Sequence, residues 1–182
     1  TIVIILLGAI AIFTVITDYM RKNNEVLAKY INLIFINIMR NSERKYNKLS
    51  GSSYMAVGFL LSAIMYDKYL AILSWLIIII CDSVSAIIGI RFGRKLSNGK
   101  SYIGLVVFFI SSLFITLTYI EFNSSLLNIG SFHLMNDYYF IFRVIIICLI
   151  TAIIEFNSKI IRLDDNLLIP ITYGMLFNYF IN

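Results

Sequence analysis

The chain has 182 residues, of which 60% are hydrophobic and only 14% charged, with a mean hydropathy of +0.88 and a formal net charge of +5. Soluble domains are about half apolar and a quarter charged, so a water-soluble fold of this length could not hide so much apolar surface, and lipid is its expected solvent. The positive charge lies between apolar runs and forms no soluble basic patch, which argues for an anionic lipid surface as its counterpart and against nucleic acid.

In chain order, apolar runs cover about Ile2 to Thr17, Ser52 to Tyr66, Tyr69 to Ile90, Tyr102 to Phe122, Tyr138 to Phe156 and Leu167 to Ile181. They are continuously apolar and do not alternate with period two, so spanning helices are expected and a barrel is not. The fold class read from them is all-α: a polytopic membrane bundle of about six spanning helices plus an interfacial helix, with the first run cut short and the second and last marginal in length. The chain opens on Thr1 inside an apolar run, which suggests a single domain over 1–182 that lacks its own start. Val26 to Met39 is apolar but short and interrupted, and reads as an interfacial amphipathic helix or a short tilted span. With six crossings, the loops 18–51, 91–101 and 157–166 share one side and hold 13 of the 15 Lys and Arg. The positive-inside rule makes that side cytoplasmic and points to a bacterial plasma membrane. Cys81 and Cys148 lie within apolar runs and read as small buried hydrophobes. His133 reads as a far-side loop residue.

Some charges are not explained by insertion. Asp82 follows SWLIIIIC and precedes SVSAIIGIRFGR, and at the centre of a span it would cost about 2.5 to 3.5 kcal/mol. It is either a buried partner of an arginine or part of a water-filled site. Two to three helical turns later come Gly89, Gly93, Arg94, Lys95, Lys100 and Ser101. Glycine admits a ligand close to the backbone and Arg or Lys neutralises phosphate, although a basic loop after a span also follows from topology alone. A second acidic group joins Glu155 to Asp164, Asp165 and Asn166, where caps for a helix start are the alternative. Arg40 and Glu43 are spaced to share a helix face, as an ordinary ion pair would be. The acids are hard oxygen donors suited to Mg²⁺, and no His or Cys cluster competes.

The ordered set MRNSE, SGSSYMAVGFLLSAIMY, CDSVSAIIGIRFGRKLSNGKSYIG and EFNSKIIRLDDNLLIP resembles the CTP-dependent lipid kinases that act on diacylglycerol, dolichol and phytol, relatives of the CDP-diacylglycerol synthases. The similarity runs from about Arg40 to Pro170. It implies a polytopic enzyme that moves the terminal phosphate of CTP to a lipid hydroxyl with a divalent metal. Carried onto this chain, Asp82 matches the intramembrane Asp, and Gly89, Gly93, Arg94, Lys100, Ser101 and Gly104 match the loop. Asp165, Asn166 and Pro170 match the DN…P element, Glu155 its preceding acid, and Arg40 and Glu43 the R..E pair. Ile103 stands where an acid is common, and the basic, histidine-containing stretch that usually comes first is absent. The longer cytidylyltransferase signature is also absent, which favours a kinase.

The arrangement expected from this reading has Asp82 and Asp165, with Glu155, on Mg²⁺, and Arg94, Lys95 and Lys100 on the phosphates. Asp164 or Glu155 takes the hydroxyl proton. Partners are CTP and a membrane lipid alcohol. The alternatives are CDP-lipid synthesis by attack on the α-phosphate, and a non-enzymatic transporter or assembly subunit with an Asp on a transport path. Neither the acceptor lipid nor the oligomeric state follows from the residues.

Overall fold

The computed structural model describes residues 1–24, 26, 28–30, 49–96, 98–123, 138–161 and 163–181. Among these the architecture is all-α, a membrane helix bundle: α1 Ile2–Asn23, α2 Gly51–Met65, α3 Lys68–Phe92, α4 Tyr102–Asn123, α5 Tyr138–Ile161 and α6 Asp165–Ile181. Helices form because an unbroken apolar run in lipid must satisfy every peptide group within its own segment. Helices α1, α3, α4 and α5 are long and apolar enough to cross a bilayer. By contrast, α2 has 15 residues, about 22 Å of rise and short of a hydrocarbon core of about 30 Å, and α6 has 17 described residues, about 26 Å. About six crossings were expected, two of them marginal, and among the described residues four helices meet the length requirement alone. The two short ones pack on each other and on α3, so protein surrounds much of their surface.

The boundaries have local causes. Asn24 and Tyr66 are extended residues that end α1 and α2, and Tyr66 opens the tight turn into α3. The Ser50 side chain accepts from the Ser53 N–H at the start of α2, a normal N-cap. Asp164 does the same for α6: its Oδ1 accepts from the Asn166 N–H at 3.1 Å, and its carbonyl from Leu168. Within α3, Ile77–Asp82 is a π-helical turn, an insertion that rotates the residues after it and often marks functional sites.

The helices run alternately up and down, and α1, α3 and α5 end where α2, α4 and α6 begin. Neighbours α1 and α2, α3 and α4, α4 and α5, and α5 and α6 are in contact, and α6 also meets α2 and α3. Helix α6 is therefore central, with Ile169, Tyr173 and Phe177 fully buried against Leu73, Ile77, Phe108 and Ile147. Polar groups in the bundle are paired, as hydrocarbon requires. Tyr173 Oη lies 2.7 Å from Thr116 Oγ1, Trp75 Nε1 donates to Ser62 Oγ at 2.7 Å, and Tyr66 Oη donates to the Ile171 carbonyl at 2.6 Å.

The contact between α2 and α6 is unusually close. Pro170 offers no N–H to the Asn166 carbonyl four residues back, and Gly58 faces that carbonyl. A Cβ on Gly58 would lie 2.7 Å from Asn166 O and 3.2 Å from Leu167 Cα. At the same end, buried Asp18 ties α1 to α2. Its Oδ2 accepts from Ser50 N, Ser50 Oγ and Ser53 Oγ at 2.7, 2.8 and 2.7 Å, and Oδ1 pairs with Arg21 at 3.2 Å. Asp18→Ala should lower stability in detergent by about 3 kcal/mol, the cost of removing one member of a buried ion pair. An unchanged thermal midpoint would show that this joint is dispensable.

Most of the expected interfacial helix at 26–39 lies outside the described residues, as do Arg40, Glu43 and His133.

Candidate functional site

The site begins with Asp82. It closes the π-helical turn, ten residues before the end of α3, which puts it about 15 Å inside the helix end. Glu155 lies six residues before the end of α5 and is buried, and Asp165 is the first residue of α6 and is also buried. The N-terminal end of a helix favours a carboxylate there. One oxygen from each of Asp82, Glu155 and Asp165 falls within 4.8 Å of the others. Three helices distant in sequence thus bring three acids to one point.

Lys100 reaches this point from the loop between α3 and α4. Its Nζ donates to Glu155 Oε1 in a very short ion pair, to the Glu155 carbonyl at 2.7 Å and to Asp165 Oδ2 at 3.0 Å. Burial by itself would lower the affinity of this amine for its proton, and the two carboxylates more than offset that, so its pKa lies above the usual 10.5. The ammonium is therefore charged throughout the neutral range.

The loop that carries Lys100 is held in place. Gly99 has φ of 79°, a left-handed conformation natural to glycine, and its N–H donates to Leu96 O at 2.8 Å. Asn98 Nδ2 donates to the Phe156 carbonyl at 3.0 Å, and Asn98 Oδ1 accepts from Lys100 N–H at 3.0 Å. Tyr102 stacks on Phe156 with ring centroids 5.6 Å apart.

Gly89, Gly93 and Gly104 make the seam where α3 meets α4. A Cβ on Gly89 would lie 2.8 Å from Ser101 Oγ and 3.2 Å from Gly104 Cα. Ser101 Oγ accepts from Gly104 N–H at 3.0 Å and donates to Gly89 O at 3.3 Å, so it caps α4 and binds the two helices together. These residues also border a cavity of about 660 Å³, which the three acids and Lys100 share, a size suited to a small molecule. Its other basic residues are Lys95 and Lys159, and Ala86, Ile90 and Leu105 give it an apolar wall.

Of the residues expected from the sequence, Asp82, Glu155, Asp165, Gly89, Gly93, Lys95, Lys100 and Ser101 border this cavity. Arg94 is exposed and does not line it. Asp164 serves as the cap of α6, and Asn166 is buried beside Gly58. Lys159 and Ser85 were missed. Lys159 lies one helical turn after Glu155 on the same face, a spacing that could have exposed it. Asp18 was missed as well, because its partners Ser50 and Ser53 are more than 30 residues away.

No family model matches the chain, and no solved structure matches it. Over 173 residues it is 39% identical to the uncharacterized protein RP860 of Rickettsia prowazekii, covering 93% of this chain and 78% of that one. Over 156 residues it is 31% identical to the uncharacterized protein MJ1137 of Methanocaldococcus jannaschii, covering 85% and 71%.

Proposed function

The chain belongs to one family with the Rickettsia prowazekii and Methanocaldococcus jannaschii proteins, and we propose that it phosphorylates a membrane lipid alcohol, taking the γ-phosphate of CTP with the help of Mg²⁺. The observation that carries this reading is the convergence of Asp82, Glu155 and Asp165 within 4.8 Å, beside Lys100, in a cavity with an apolar wall. The residues fit the cation. Around an octahedral Mg²⁺ with oxygens at about 2.1 Å, neighbouring ligands are about 3 Å apart and opposite ones about 4.2 Å, so the three acids, within 4.8 Å of one another, would draw together by up to about 2 Å on binding it. Asp82, Glu155 and Asp165 would hold the ion, which would supply charge neutralisation for the phosphates.

The chain's own groups do the rest. Lys95 and Lys159 face the cavity as point charges for phosphate oxygens. The glycine seam lets Ser101 and the backbone of α3 stand close to whatever fills the space. Ile90 is 85% exposed at the cavity edge, and with Ala86 and Leu105 it would let an acyl or prenyl chain remain in lipid while its hydroxyl reaches the acids. Glu155 is the proposed acceptor of the hydroxyl proton, since it lines the cavity and Asp164 does not. Such a set positions reactants and neutralises charge, which is most of what phosphoryl transfer asks of a protein. With the basic loops cytoplasmic, the site would open toward the compartment that holds nucleotide. CTP as donor, and the choice among diacylglycerol, polyprenol and phytol, rest on the resemblance of sequence motifs.

The test uses purified protein in lipid nanodiscs with Mg²⁺ and a panel of lipid alcohols. Label from γ-labelled CTP should appear in a lipid phosphate, leaving CDP. Incorporation of α-label with release of pyrophosphate would instead establish CDP-lipid synthesis, and no transfer to any alcohol would remove the kinase reading.

A further inference from the structure

The Lys100 ammonium pairs with two of the three acids that could hold a metal ion. All three of its donor positions are taken by groups of the acidic site: Glu155 Oε1, the Glu155 carbonyl and Asp165 Oδ2. A buried carboxylate without a counter-charge is strongly disfavoured, and here two of the three acids share one ammonium from a separate loop. We infer that Lys100 is an internal counter-cation, which holds the acidic site closed until a divalent ion displaces it and sends the ammonium into the adjoining cavity. This rests on the metal reading above and adds to it a mechanism of access.

Two features make a side-chain exchange feasible without refolding. The backbone at Lys100 is pinned on both sides, by its N–H to Asn98 Oδ1 and by its carbonyl, which accepts from Leu96 N–H at 2.8 Å. Asn98 is in turn anchored to Phe156 O, so displacement involves only the four side-chain torsions of the lysine. The 660 Å³ cavity borders Lys100 and supplies the space. A phosphate arriving there with the metal would give the displaced ammonium a new partner beside Lys95 and Lys159. Metal and nucleotide would then bind cooperatively, because each stabilises the form of Lys100 that the other requires.

The experiment has two readouts independent of turnover, made on the full chain in detergent. Modification of Lys100 by succinimidyl acetate, followed by mass spectrometry against Lys68 as reference, should be slow without divalent ions and at least tenfold faster at saturating Mg²⁺. Mn²⁺ binding, followed by electron paramagnetic resonance, should be at least tenfold tighter in Lys100→Met than in the parent protein. If Mn²⁺ binds the parent protein while Lys100 remains as protected as before, the ammonium stays in place and displacement is wrong. If neither the parent protein nor Lys100→Met binds Mn²⁺, the metal reading itself fails. The labelling arm needs no variant, so a poorly folded Lys100→Met would not protect the inference.

Discussion

Asp82→Asn should reduce phosphate transfer from CTP by at least about a hundredfold while leaving the helix bundle intact. Changes to groups that merely orient a metal ligand cost about 10- to 100-fold, and loss of a charged ligand should reach or exceed the upper figure. Asn keeps the size of the side chain and one oxygen but removes the charge that draws a cation between Glu155 and Asp165. The fold should survive because α3 is held by other residues: Leu73, Ile77, Ile78 and Cys81 are fully buried, whereas Asp82 is only half-buried. Initial rates with labelled CTP, read beside size-exclusion profile and helicity in detergent, decide the matter. A variant that retains more than about a third of the parent rate would remove Asp82 from the metal site, since no effect that small is expected of a lost ligand.

A larger effect on stability is expected from Gly58. Leucine there should lower stability by about 3 kcal/mol or more, the upper range for overpacking a filled core. The groups that its Cβ would meet are the Asn166 carbonyl and Leu167 Cα, which are backbone and cannot turn aside. Even Gly58→Ala requires the first turn of α6 to shift, and Asp165 lies in that turn. Alanine should therefore lower both the thermal midpoint and Mn²⁺ affinity, although it favours helix by about 1 kcal/mol over glycine. Gly8 provides the contrast, since its nearest neighbour would be Leu60 Cδ1 at 4.0 Å. Gly8→Ala should be neutral or slightly stabilising. Equal midpoints for the Gly58 and Gly8 alanine variants would show that α2 and α6 are not in the contact described.

The apolar runs predicted every described helix because, in lipid, the local sequence decides: each segment must close its own hydrogen bonds, and nothing outside it can do so. Span length was less legible. The second and last runs were marginal in length; α2, with 15 residues, is shorter than a lone span needs, and what surrounds it depends on neighbours far away in sequence. The π-helical turn that ends on Asp82 carries no sequence mark in IIIICD. The basic loop was visible as a run of charge, yet charge alone did not separate Lys100, which reaches the acids, from Arg94, which stays exposed.

By itself, the sequence determined that this is a membrane protein of apolar helices and that Asp82 is an acid too costly to ignore in such surroundings, while helix capping stayed open for the acids near Asp165. Both follow from composition and transfer energy, which need no knowledge of neighbours. Only the tertiary structure decided that the three acids meet, that Lys100 rather than an arginine pairs with two of them, and that the glycines serve a helix seam as well as a cavity. Those facts depend on distances between segments up to 83 residues apart, and such distances arise from how helices pack, which no local pattern encodes.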